Sequence, residues 1–236
     1  MALMVAVAAD PVCAADYRLL VLDGSLVKWG PAETGTGAVV TWSFVKDAVT
    51  LPKARNCSSL MPFDTLEMTS NISMNGLRSE AEGAFAAWEA VADLDFRYTA
   101  DPATADILIG AQGQPMGRAF TNVALSDKTT ERALADAPGG PDAASPHDMR
   151  EIRQSLICLN PLQRWKTKLD GDLDVYDLKY TLTHEIGHAI GLDHPGSGGA
   201  LMGFRYQEKV QGLRPGDIQA AQTLYGVRPP RFAQVH

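Results

Sequence analysis

The stretch Thr183-His184-Glu185-Ile186-Gly187-His188-Ala189-Ile190-Gly191-Leu192-Asp193-His194 decides how this chain is read. It carries His-Glu-x-x-His within an apolar period of Val175, Leu178, Leu182, Ile186 and Ala189, which predicts a helix from about Asp172–Asp174 to Gly191. Residues four apart lie one above the other on a helix, so His184 and His188 reach one point from one face. Ile186 points to the opposite side, so the same helix buries its back and presents its front. A catalytic metal of the zinc type takes three protein ligands and keeps one position open. His194 can supply the third only if the chain leaves the helix and turns back. Gly191 stands where that turn is needed, because a residue without Cβ adopts positive φ freely. Glu185, beside His184 but facing elsewhere, suits proton transfer to and from an attacking water rather than ligation. Three of the five histidines fall in these twelve residues. His147 and His236 stand apart and read as incidental.

Working outward, Val39–Val45 is rich in β-branched and aromatic residues and predicts a strand. Residues 47–75 show no period and read as a long connection. Ser79 and Glu82 have capping-box spacing. With Leu77, Ala81, Phe85, Trp88 and Val91 on one face, they predict a helix in which Trp88 belongs to the core. Strands follow at Leu94–Tyr98, Ala105–Ile109 and Arg118–Leu125, then a polar excursion over 128–149 and a strand at Ile152–Leu159. Pro215 opens a last helix with Ile218, Ala221 and Leu224 inward, and Gly226 ends it. The element order gives a single α+β unit with a mixed sheet.

The chain has 236 residues and a formal net charge of -7, from 21 basic and 28 acidic side chains. Without a basic stripe, this argues against nucleic acid as a partner. No run beyond the N-terminus is long enough to cross a bilayer. Residues 1–15 read as the back half of a secretory leader, lacking a basic start, and place the protein outside the cell or in the periplasm. Cys57 and Cys158 would then remain as an even pair. A disulfide between them is one reading, and two buried thiols the other.

His184-Glu185-x-x-His188-x-x-Gly191-x-x-His194 resembles the metzincin signature. Ala200-Leu201-Met202-Gly203-Phe204-Arg205-Tyr206 resembles that clan's Met-turn. Within the clan the likeness is closest to the matrixins. It covers about residues 28–226, and Arg214–Gly226 is similar to their last catalytic-domain helix. It implies a metzincin-like catalytic domain over 28–226, preceded by a segment 16–27 and followed by a tail 227–236. The implied function is a monomeric zinc endopeptidase acting on proteins or peptides. Hydrolysis of a non-peptide amide or ester, or silent peptide binding, are the alternatives. The resemblance makes Met202 a hydrophobic base beneath the metal, and Phe204 and Tyr206 pocket-wall residues, with Phe204 replacing a usual proline. It likens Gly117–Leu125 to a substrate-binding rim strand, which offers Arg118, Ala119, Phe120 and Asn122 as contacts. Ordinary edge exposure explains Arg118 and Asn122 equally well. His194-Pro195-Gly196 is also serralysin-like, but Phe204 occupies the place of that group's tyrosine ligand. The histidines of the matrixins' structural zinc site are absent, so one zinc is expected. Calcium is common in such proteins, and Asp170–Asp174 permits a site, although solvation or helix capping also explains those acids.

Overall fold

This computed structural model describes residues 16–51, 54, 56–126, 148–196 and 199–230. The leader at 1–15, residues 128–147 of the excursion read over 128–149, Cys13, His147 and His236 lie outside the described residues, and Met149 already belongs to a strand. In chain order the strands are β1 (Arg18–Leu19), β2 (Val21–Leu22), β3 (Ser25–Lys28), β4 (Ala38–Phe44), β5 (Val49–Thr50), β6 (Ser59–Met61), β7 (Leu94–Tyr98), β8 (Ile107–Gln112), β9 (Ala119–Leu125), β10 (Met149–Leu159), β11 (Trp165–Lys166), β12 (Tyr176–Asp177) and β13 (Leu192–Asp193). Four α-helices, Asp64–Ser70, Met74–Glu89, Leu178–Ala189 and Pro215–Tyr225, and a short 3-10 helix, Pro102–Thr104, complete the described architecture.

The main sheet is mixed. β4 pairs in parallel with β7 and β8, and β10 in parallel with β8 and β3. β9 runs antiparallel to β10, its one strand partner among the described residues, and so forms an edge. The segment 16–27 belongs to the folded unit, because Leu26 is in register with Met149 and β1 pairs with β13 just before His194.

One face of the sheet carries the helices. Trp42 from β4 stacks on Phe85 at 4.7 Å, and Trp88 Nε1 donates to the Thr183 carbonyl at 2.9 Å. The long helix is thereby held against the helix that bears the histidines. Leu77, Ala81, Phe85 and Trp88 are buried as their spacing predicts. The helix start differs from expectation: Ser73 is the N-cap, accepting from the Gly76 amide, and Ser79 lies inside the helix. Ser73 is the cap because the sequence stays helical for a full turn before Ser79.

Two further expectations are corrected. Residues 47–75 contain the β5–β6 hairpin and the helix Asp64–Ser70. Strands of two and three residues are too short to display a period. The histidine helix begins at Leu178, with Asp177 capping the Tyr180 amide at 2.7 Å, and not at Asp172–Asp174. Tyr176 and Asp177 are extended against Trp165 and Lys166, which holds Val175 outside the helix. In the last helix the inward residues are Ala220, Ala221, Leu224 and Tyr225, and Ile218 is half-buried.

Cys57 and Cys158 form a disulfide across 101 residues of sequence. It ties the chain before β6 to β10 within a small second core of Val45, Leu60, Ala105, Leu108 and Leu156.

Candidate active site

The helix Leu178–Ala189 ends in a clamp. Trp29 Nε1 donates to the Ala189 carbonyl at 2.8 Å, and the Tyr225 hydroxyl donates to the Ile190 carbonyl at 2.8 Å. These bonds satisfy carbonyls that a helix end leaves without partners. Gly191 then takes φ +97°, and a Cβ there would lie 2.1 Å from the Val27 carbonyl oxygen. Both the turn and the close approach demand glycine. Gly191→Ala is therefore expected to destabilise the fold by roughly 2–4 kcal/mol through backbone strain and overlap. Gly196→Ala, where a Cβ meets nothing within 4 Å, serves as the control. Urea-unfolding midpoints read the difference, and equal midpoints for the two variants would contradict the account.

Past Gly191, β13 carries the chain to His194, whose amide donates to Asp193 Oδ1 at 2.8 Å. The three imidazoles meet. His194 Nε2 is 3.1 Å from His184 Nε2 and 3.2 Å from His188 Nε2. On the far side of each helical ring, His184 Nδ1 is 2.8 Å from the Leu201 carbonyl and His188 Nδ1 is 2.9 Å from the Leu192 carbonyl. A carbonyl can only accept, so each Nδ1 carries the proton and each Nε2 keeps its lone pair. Burial, reinforced by His188, pushes His184 well below the usual imidazole range. Burial likewise lowers His188 and His194.

Neutral lone pairs pointed at one another repel unless a cation lies between them. Ligands about 2.0–2.1 Å from a tetrahedral zinc ion stand about 3.3 Å apart, close to the separations found here. The donor set therefore fits zinc in both geometry and chemistry. No other group of three or more potential ligands converges in this way among the described residues.

Glu185 is 3 % exposed and faces the same cleft. Burial raises its pKa above the usual carboxylate value, while a bond from Thr121 opposes that shift. Thr121 Oγ1, on the edge strand β9, lies 2.8 Å from Glu185 Oε2 and 2.9 Å from the Glu185 carbonyl, sharing its one proton between them.

A family model described as Matrixin matches residues 59–226. The chain belongs to the matrixin family. It is 28% identical over 172 residues to matrix metalloproteinase-19 of Mus musculus, covering 72% of this chain and 29% of that protein. It is 27% identical over 161 residues to the hatching enzyme of Paracentrotus lividus, covering 67% of this chain and 24% of that protein. The alignments thus span less than a third of these relatives' own lengths.

The turn that carries Met202 packs against the helix that bears the histidines. A Cβ on Gly187 would lie 2.2 Å from Met202 Sδ, so the methionine sits directly under the metal-facing helix. Asp217, which sequence reasoning missed, fixes this turn. Its carboxylate accepts from the Leu201 and Met202 amides at 2.9 and 3.1 Å, and from the Arg214 amide at 2.8 Å. Because Leu201 in turn accepts from His184, a buried acid of the last helix orients a histidine ligand. An acid two residues after a helix-opening proline was the available signal. Thr121 had none, since nothing local links it to Glu185.

Arg118, Ala119, Phe120 and Asn122 all line the cleft, as does Phe204. Phe204 is 79% exposed with its ring edge-on to His194 at 5.3 Å. Asn122 is already engaged: its Nδ2 donates to the Cys57 carbonyl at 3.0 Å. Tyr206 does not line the cleft. It packs against Tyr176 and Tyr180, donates to Glu208 at 2.8 Å and accepts from the Asp177 amide at 2.9 Å. In the acidic loop, Asp170 pairs with Lys166 and Asp172 caps the Asp174 amide at 3.0 Å.

Thr121→Val keeps the shape of the edge strand and removes the hydroxyl. Its expected effect is a loss of kcat of roughly ten- to a hundredfold with KM little changed, since a hydrogen bond to a charged group contributes about 1.5–3 kcal/mol. Thr121→Ser restores most of it. A Thr121→Val enzyme with unchanged kcat would contradict the positioning role.

Proposed function

We propose that this matrixin-family chain is a zinc-dependent endopeptidase that hydrolyses internal peptide bonds of proteins, with one zinc held by His184, His188 and His194. The observation that carries this reading is the convergence of three imidazole Nε2 atoms beside a buried carboxylate in an open cleft. Bound zinc supplies Lewis acidity towards the scissile carbonyl and lowers the pKa of water. The protein's own groups do the rest. Thr121 engages Oε2 of Glu185, so Glu185 accepts a proton from the attacking water on Oε1 and passes it to the departing amine. The edge strand β9 offers unpaired backbone groups to an extended peptide. Met202 and Gly191 hold the ligands in place from below and behind.

All four chemical groups come from one chain, which supports action as a monomer. The Cys57–Cys158 disulfide supports an oxidising location, secreted or periplasmic. No helix among the described residues is long and apolar enough to cross a membrane.

The test is digestion of an unfolded protein by the zinc-loaded chain, with products identified by mass spectrometry. Internal cleavage that a chelator stops and zinc restores is expected. Release of a non-peptide acyl group with no peptide-bond cleavage would overturn the reading.

A further inference from the structure

Arg118 is a cation with an unfilled hydrogen-bonding capacity at the catalytic cleft. It lines the same cleft as His184, Glu185 and His194, and its charge acts on all three. Its guanidinium lies against aromatic faces, 5.3 Å from the Tyr176 ring centroid and 5.6 Å from that of Tyr206. Those rings orient it but accept no conventional hydrogen bond. Among the described residues its buried Nε has no hydrogen-bond partner. Among the described residues, three nearby acids are paired with other cations: Asp193 with Arg18, Asp23 with Arg150, and Glu208 with Lys166.

A second unfilled donor stands nearby. The Tyr180 ring packs on Tyr206 at 4.8 Å, and the Arg118 charge reaches the Tyr180 hydroxyl. That hydroxyl is buried, and its proton has no acceptor among the described residues. The Gln207 backbone amide is directed at its oxygen. An amide donor uses the oxygen's lone pair and leaves the O–H proton free. A buried donor left without an acceptor is unfavourable, so two together on the histidine-helix side of the cleft point to an acceptor that arrives with the ligand. A planar guanidinium fork and a hydroxyl match a carboxylate.

We propose that Arg118, backed by Tyr180, forms a carboxylate-recognising subsite, so that the protein prefers peptides with a Glu or Asp side chain next to the scissile bond. This rests on the endopeptidase reading.

The test uses the zinc-loaded full chain and two pools of internally quenched peptides, randomised except for a central Glu or a central Gln. The Glu pool is expected to be cleaved faster by roughly ten- to a hundredfold in kcat/KM, the range for charge-assisted hydrogen bonds. Arg118→Gln should bring that ratio close to one, Arg118→Lys should retain part of it, and Arg118→Glu should shift preference to a pool with central Lys. If Arg118 served only to hold the charge of Glu185, its loss would slow both pools alike and leave their ratio intact, which would overturn the proposal. So would a wild-type ratio near one. Cleavage of neither pool would instead contradict the endopeptidase reading. In that case, binding of the two pools to the zinc-loaded Glu185→Gln variant decides the subsite. Tighter binding of the Glu pool, lost in Arg118→Gln, supports it, and equal binding overturns it.

Discussion

Glu185→Gln in the zinc-loaded protein is expected to lower kcat against an unfolded protein by about 10²–10⁴, the range contributed by a positioned general base. The substitution is close to isosteric, and the amide oxygen can still accept from Thr121, whose hydroxyl lies 2.8 Å from the carboxylate. The change therefore removes proton-accepting ability and little else. Zinc content should stay at one equivalent, because Glu185 is not among the converging ligands. Urea midpoints should stay close to wild type, since the removed charge was buried and so unfavourable to fold around. Matched kinetics and metal analysis on the same preparation check this. A zinc-loaded variant cleaving as fast as wild type would remove Glu185 from the chemistry.

Loss of the disulfide is the largest expected effect on stability. Cys57→Ala with Cys158→Ala opens a bridge across 101 residues. In the chain-entropy description, a closed loop of about that length contributes roughly 4–5 kcal/mol. Domains of this kind are stable by about 5–15 kcal/mol, so the loss takes a large share. The effect should reach the cleft, because the rim residue Asn122 donates to the Cys57 carbonyl, and Asn122 is directly opposite Leu156 two residues before Cys158. Urea unfolding of wild type with and without reductant, beside the double variant, measures it. Midpoints that coincide in all three would show that the bridge contributes nothing.

The metal-binding half of the site was legible because it is local. A helical period and a four-residue spacing place His184 and His188 together, and a glycine at the required turn brings back His194. The long helix was legible for the same reason, although its cap at Ser73 was misplaced to Ser79. What escaped depends on meetings between distant segments. Thr121 reaches Glu185 across 64 positions, and Asp217 holds Leu201 only because the last helix packs under the Met-turn. Tyr206 fits a pocket-wall pattern by position, and the residues that engage it, Tyr176, Tyr180 and Glu208, are brought to it by the fold. The start of the histidine helix was drawn too early because the acids at 170–174 mimic a capping region. β12 instead keeps Tyr176 and Asp177 extended.

The most direct test of the central claim is X-ray absorption at the zinc edge on protein loaded with one equivalent of metal, compared with His188→Ala. Three imidazole nitrogens at about 2.0–2.1 Å, falling to two in the variant, is the predicted result. Sulfur ligation, or a histidine count that His188→Ala leaves unchanged, would contradict it.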